Sequence, residues 1–341
     1  MTGLRLTLSA LLVAVTASEI AAAHSAQTPS PTHANIAYAP AEPAESRGHL
    51  LDLYLPAPVG AKPVPVVIWM GGSAWKSDND KAKAGDVAAQ LNPAGLAVAG
   101  VSSRSSGQTT FPGQLYDIKA AIRWLRANAA SYNLDPDHIG IMGGSSAGWT
   151  AAMAAVTEDR PELEGKVGTL GVSSAVQVAV AFYPPTDFLT MGARHLSATS
   201  PESRLLGCAL QTCPEKVRAA NPTRYVTGKE PPIMILHGEL DQKVPHNQSE
   251  LLYEALKKAC NEAVFISLPK GGHGQSNAFL TSDAIREGAT IRSTSAAGCE
   301  VTNPMPFTPT WGSVIEFLNH HLAVAHEAQR SRLSAPIAPA E

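Results

Sequence analysis

The sequence predicts an α/β fold, with a mostly parallel central sheet and helices on both faces. Three observations carry that prediction. Short continuous apolar runs such as Val64–Met70, VPVVIWM, mark strands buried on both faces. Longer stretches between them repeat apolar residues at helical spacing. The two kinds alternate through the middle and end of the chain, and no internal repeat interrupts them.

The elements follow in order. LLDLYLP (Leu50–Pro56) alternates as a strand does, and VPVVIWM is the first buried run. GLAVAGVSS (Gly95–Ser103) is the next strand. Leu115, Ile118, Ala121, Ile122 and Leu125 share one face, which predicts a helix over Leu115–Tyr132. HIGIMG is a strand, SAGWTAAMAAV a helix and VQVAVAFYP a strand. PPIMILHG is a strand, HNQSELLYEALKKA a helix, AVFISLP the last strong strand, and WGSVIEFLNHHLA a closing helix. Residues 188–230 and 275–310 break this rhythm and read as inserted segments.

The chain has 341 residues, 44% of them hydrophobic, which is enough for one α/β domain with a substantial core. Net charge is −3 and Lys and Arg form no block, so nucleic acid is not an expected partner. Outside the N-terminus no apolar run reaches the ~20 residues of a membrane span. At the N-terminus, Arg5 precedes the apolar LTLSALLVAVTA and a small-residue AAA, which reads as an export signal over residues 1–23. Residues 24–47, rich in Pro, Ala, Ser and Thr, are expected to be a linker or disordered arm. The catalytic domain is expected over 48–322, with a flexible tail over 323–341. The expected location is secreted or periplasmic. Cys208, Cys213, Cys260 and Cys299 then suggest two disulfides. Of three possible pairings, Cys208–Cys213 with Cys260–Cys299 is favoured. None of the four has zinc-ligand spacing, so no metal is expected.

The chemistry is carried by IMGGSSAGWT. Gly144-Ser145-Ser146-Ala147-Gly148 fits G-x-S-x-G between a strand and a helix, the turn that raises a serine above the end of a sheet. The pattern makes Ser146 the expected nucleophile. A serine needs a base, and the base needs an orienting acid. Asp241 follows the strand PPIMILHG and His273 follows AVFISLP, both at strand ends and in the order Ser, Asp, His. Glu239 and Asp187 are rival acids. Ala147, next after Ser146, and Gly72 and Ser73, after VVIWM, are the expected oxyanion-hole amides. Trp75 and Trp149 flank these turns and are offered as substrate contacts.

Together with LYDIKAAIRWLRANAASYNLDPDHIGIMGGSSAG, these motifs resemble the α/β-hydrolase superfamily over roughly residues 48–322. They are most similar to secreted bacterial carboxylesterases, the bifunctional acetyl and feruloyl esterases and the hormone-sensitive-lipase-like esterases. One position departs from that pattern. The usual His-Gly-Gly loop reads Met70-Gly71-Gly72-Ser73-Ala74-Trp75, so its amides survive but its bracing histidine does not. The resemblance implies hydrolysis of short acyl or aryl esters, such as acetyl or feruloyl groups on plant polysaccharide, with no cofactor. Two alternatives share the triad: a serine peptidase or amidase of prolyl-oligopeptidase type, and a non-catalytic binder on a hydrolase scaffold. The first typically carries a large extra β-domain, for which the N-terminal arm is too short.

Overall fold

The computed structural model describes residues 28–57, 62–158 and 160–333. The export signal expected over 1–23 lies outside them. Ten strands form one sheet in the order β1-β2-β4-β3-β5-β6-β7-β8-β9-β10. They are β1 (His33–Ala37), β2 (Leu50–Tyr54), β3 (Val64–Met70), β4 (Ala97–Val101) and β5 (Leu134–Gly144). The second half holds β6 (Val178–Phe182), β7 (Ile233–Gly238), β8 (Ala263–Leu268), β9 (Thr290–Thr294) and β10 (Met305–Pro306). The block β4-β3-β5-β6-β7-β8 is parallel throughout. Antiparallel pairs extend it at both edges.

The helices are α1 (Ala84–Leu91), α2 (Gly113–Asn128), α3 (Ser146–Val156), α4 (Pro201–Leu206), α5 (Pro214–Ala219), α6 (Asn247–Lys258), α7 (Ala278–Thr281), α8 (Asp283–Arg286) and α9 (Trp311–Leu333). Helices cover both faces because the central strands are apolar on both. In β3, Val66, Ile68 and Met70 enter one core with α2, α3 and α6, while Val67 and Trp69 enter the other with α1 and α9.

Three boundaries differ from the sequence expectation. The arm expected over 24–47 already contains β1, which pairs antiparallel with β2, and Tyr38 behind it is buried. The HANIA strand is mostly exposed, so no apolar alternation announces it. Residues 275–310 are an insertion, but one that extends the sheet through β9 and β10. The expected tail begins inside α9, which runs on to Leu333. Residues 188–230 form short helical turns with α4 and α5. Both favoured disulfides are present, Cys208–Cys213 and Cys260–Cys299.

Candidate active site

Strand pairing sets up the site. β3 and β5 are parallel neighbours, with Met70 beside Gly143, so the loops that leave their C-terminal ends emerge side by side. β7 and β8 end nearby, and their loops carry Asp241 and His273. Open parallel sheets place their sites at this end.

The elbow is one residue earlier than G-x-S-x-G suggested. Ser145, not Ser146, occupies the strained position, with φ 58° and ψ −125°. A non-glycine residue at positive φ is uncommon, and such strain concentrates at functional turns. Ser145 Oγ lies 3.0 Å from His273 Nε2. Ser146 is the first residue of α3 and is only 2% exposed. Its Oγ accepts a 3.0 Å hydrogen bond from the Ser73 amide. The glycine that makes the turn possible is Gly143, where a Cβ would sit 2.4 Å from the Ala147 carbonyl oxygen. The partner position two residues after Ser145 is Ala147. The sequence pattern therefore locked onto the wrong pair of glycines, Gly144 and Gly148.

The structure brings Asp241 and His273 together at the bend. His273 Nδ1 is 2.7 Å from Asp241 Oδ2. A carboxylate only accepts, so Nδ1 carries the proton and Nε2 is left to accept from the Ser145 hydroxyl. Asp241 Oδ1 accepts from the amides of Lys243 and Val244 at 2.8 and 2.9 Å. His237 lies beneath, its Nε2 donating to the Val244 carbonyl at 3.0 Å and lying 3.4 Å from Asp241 Oδ2. Burial pushes the Asp241 carboxyl up. Hydrogen bonds from His237, His273 and the Val244 amide outweigh it and hold the group well below the usual carboxylate range. The rival acids are engaged elsewhere: Glu239 accepts from Ser267, and Asp187 caps the turn at Leu189.

The loop after β3 reaches the elbow without its histidine. Met70 is buried in the core. The loop is held instead by Gly71 N–H to the Asp80 carbonyl at 2.8 Å, Ser77 N–H to Ser73 Oγ at 3.1 Å, and the Ser73–Ser146 bond. Gly72 has φ 77° and packs so closely on the elbow that a Cβ would lie 2.0 Å from the Gly144 oxygen. Two of the amides expected at the oxyanion hole are placed differently. The amide following Ser145 belongs to Ser146, not Ala147, and the Ser73 amide is already used by Ser146 Oγ. Among the described residues, the amides of Gly72 and Ser146 donate to no backbone or side-chain group.

A cavity of about 360 Å³ opens above Ser145 and His273, lined also by Trp75, Pro185, Pro201 and Val244. Trp75 is buried edge-on against Trp149 with ring centres 5.5 Å apart. Trp149 itself is not a substrate contact. It is fully buried, and its indole N–H donates to the Ala220 carbonyl at 2.8 Å. A second group from the insertion, Arg194, His195 and Glu202, also lines the cavity. No sequence pattern marked it, because Arg194 and His195 sit on one short turn and Glu202 on another. Among the described residues no cluster of His, Cys, Asp and Glu could hold a metal ion, and no helix is long and apolar enough to cross a membrane.

The BD-FAE family matches residues 51–256. The chain is 31% identical to esterase LipQ of Mycobacterium tuberculosis over 230 residues, 67% of this chain and 54% of LipQ. The chain thus spans about half the length of the curated relatives it matches. Among solved structures, a truncated carbohydrate esterase from gut microbiota superposes with TM-score 0.65 at 36% identity, covering 71% of this chain and 88% of that one. Esterase 2 of the planctomycete Thermogutta terrifontis superposes with TM-score 0.58 at 25% identity, covering 73% of this chain and 85% of that one. The chain belongs to the BD-FAE family of α/β-hydrolase esterases.

Proposed function

We propose that the chain is an exported serine ester hydrolase in which Ser145, His273 and Asp241 form the catalytic triad. One observation carries this reading: the continuous hydrogen-bond chain from Asp241 Oδ2 through His273 to Ser145 Oγ, at 2.7 and 3.0 Å, opening on a cavity. Ser145 Oγ attacks the ester carbonyl carbon while His273 Nε2 takes its proton. Asp241 holds the imidazole with its proton on Nδ1 and stabilises the imidazolium that forms. The carbonyl oxygen becomes an oxyanion against the amides of Ser146 and Gly72, at the positive end of α3. The C–O bond to the alcohol then breaks, and His273 returns the proton to the leaving alkoxide. Water, activated by the same imidazole, hydrolyses the acyl-enzyme and regenerates Ser145.

The substrate class is the finer part of the proposal. Short acyl or aryl esters, such as acetyl or feruloyl groups on plant polysaccharide, are supported by the solved carbohydrate-esterase neighbour and by a cavity of about 360 Å³ lined in part by Trp75. Export is supported by two disulfides and by the signal-like residues 1–23. The test is turnover of p-nitrophenyl acetate. Ser145→Ala is expected to lower kcat by about 10⁴-fold or more, as loss of a triad nucleophile does. Retention of activity by Ser145→Ala would refute the assignment. Acyl chains of two to four carbons should give higher kcat/KM than decanoyl or longer esters, and a rise with chain length would refute the short-acyl reading.

A further inference from the structure

In the lining of the same cavity, the insertion carries an orienting device of its own. Arg194 and His195 lie in the turn Ala193–Leu196, and Glu202 lies in the first turn of α4. All three line the same cavity as Ser145 and His273. Arg194 Nε donates to His195 Nε2 at 3.1 Å. A guanidinium only donates, so His195 Nε2 is an acceptor and the imidazole proton is on Nδ1. That proton is directed at Glu202 Oε1, 3.0 Å away. Glu202 is only 4% exposed, and its second oxygen has no partner among the described residues. Burying a carboxylate is costly unless it is paired. Here Glu202 faces His195, whose other ring nitrogen accepts from the Nε edge of an exposed arginine.

The consequence is a guanidinium fixed by one edge and open at the other. Among the described residues, neither terminal nitrogen of Arg194 has a hydrogen-bond or ion-pair partner. Two further cations line the cavity, Lys76 and Lys243, and neither ammonium pairs with a described carboxylate. Glu202 is the one acid in the lining, and it is committed to His195. A free guanidinium fork with flanking ammonium groups matches one chemistry best, a carboxylate taken by two parallel N–H···O bonds.

We propose that Arg194, held by His195 and Glu202 in the lining of the cavity that holds Ser145, binds a carboxylate of the substrate, so that the enzyme favours esters carrying a free carboxyl group, such as acylated uronic acids. This rests on the ester-hydrolase reading above. Arg194 is then a specificity residue, while His195 and Glu202 are positioning residues.

The test compares matched ester pairs on the full chain. An acetylated methyl glucuronoside against the acetylated methyl glucoside places the carboxylate on the alcohol. Monomethyl succinate against methyl butyrate places it on the acyl group. The charged member of one pair should be preferred by about tenfold in kcat/KM at low salt, and that pair identifies which half of the substrate faces Arg194. Arg194→Gln should bring the ratio close to one. Glu202→Gln, which loosens the histidine without removing the guanidinium, should give a ratio between the two. Raising salt to about 0.5 M should shrink the wild-type ratio. No preference in either pair, or a ratio unmoved by Arg194→Gln, overturns the proposal. Turnover of p-nitrophenyl acetate separates the two readings. If it persists while the ratios fail, only the carboxylate site is lost. If no ester is hydrolysed, both readings fall.

Discussion

The two walls of the cavity are built in different ways. One is the sheet end, where β3 and β5 run in register and their loops are tied amide by amide to Asp80 and Ser146. The other is the insertion between β6 and β7, made of single turns and two six-residue helices, with a disulfide across five residues. The first wall inherits its geometry from strand pairing, which any parallel sheet of this kind provides. The second depends on local polar contacts such as Arg194–His195–Glu202. The difference separates two tasks. On the proposed reading, the sheet end sets which bond is broken and the insertion sets which ester is brought to it.

Breaking one disulfide on each side should separate the two regions most strongly. Cys260–Cys299 closes 39 residues of chain that include β8 and His273, whereas Cys208–Cys213 closes only five within the insertion. On chain-entropy grounds the long loop stabilises by about 4 kcal/mol and the short one by about 2. Cys260→Ser is therefore expected to lower Tm more than Cys208→Ser in calorimetry. The reverse order would mean that the insertion, not the His273 segment, limits stability.

Beneath the oxyanion loop, Asp80 offers a pH-dependent probe of the sheet wall. Burial pushes its carboxyl up to about 7, against a hydrogen bond with Ser73 that pulls the other way. An unfolded aspartate titrates near pH 4, so between about pH 4 and 7 the folded chain binds the extra proton. Native stability contributed by this group therefore falls as pH rises through that window. Asp80→Asn removes the effect. Its Tm advantage over the wild type should be small at about pH 4 and grow to a plateau above about pH 7. A difference that does not change with pH would contradict the burial argument.

The smallest expected effect concerns the bond between the two loops of the sheet wall. Ser146→Ala removes the acceptor for the Ser73 amide but leaves the Ser146 backbone N–H in place. A loss of about tenfold in kcat, with little change in KM, is expected from a loop no longer held at the elbow. A loss as large as that of Ser145→Ala would contradict the division of roles between the two serines.

The parallel block was legible from its buried apolar runs, and the positions of Asp241 and His273 from the strand ends that precede them. The edges were less legible. HANIA of β1 is mostly exposed and TIRST of β9 is polar and only partly buried, so apolar periodicity did not distinguish them from loop. The serine was misplaced by one because Ala147 occupies the second glycine position, and only the backbone angles of Ser145 reveal which hydroxyl sits on the bend. Trp149 read as a cavity residue because it follows the elbow, yet helical geometry turns it inward to Ala220. Arg194, His195 and Glu202 left no trace at all, since turns rather than a period bring them together.

The assignment of the two serines is tested most directly by covalent trapping. A fluorophosphonate probe reacts with the serine that His273 activates, and peptide mapping by mass spectrometry reads out the modified residue. The account predicts the adduct on Ser145, with labelling lost in Ser145→Ala and retained in Ser146→Ala. An adduct on Ser146, or labelling that survives Ser145→Ala, would contradict it.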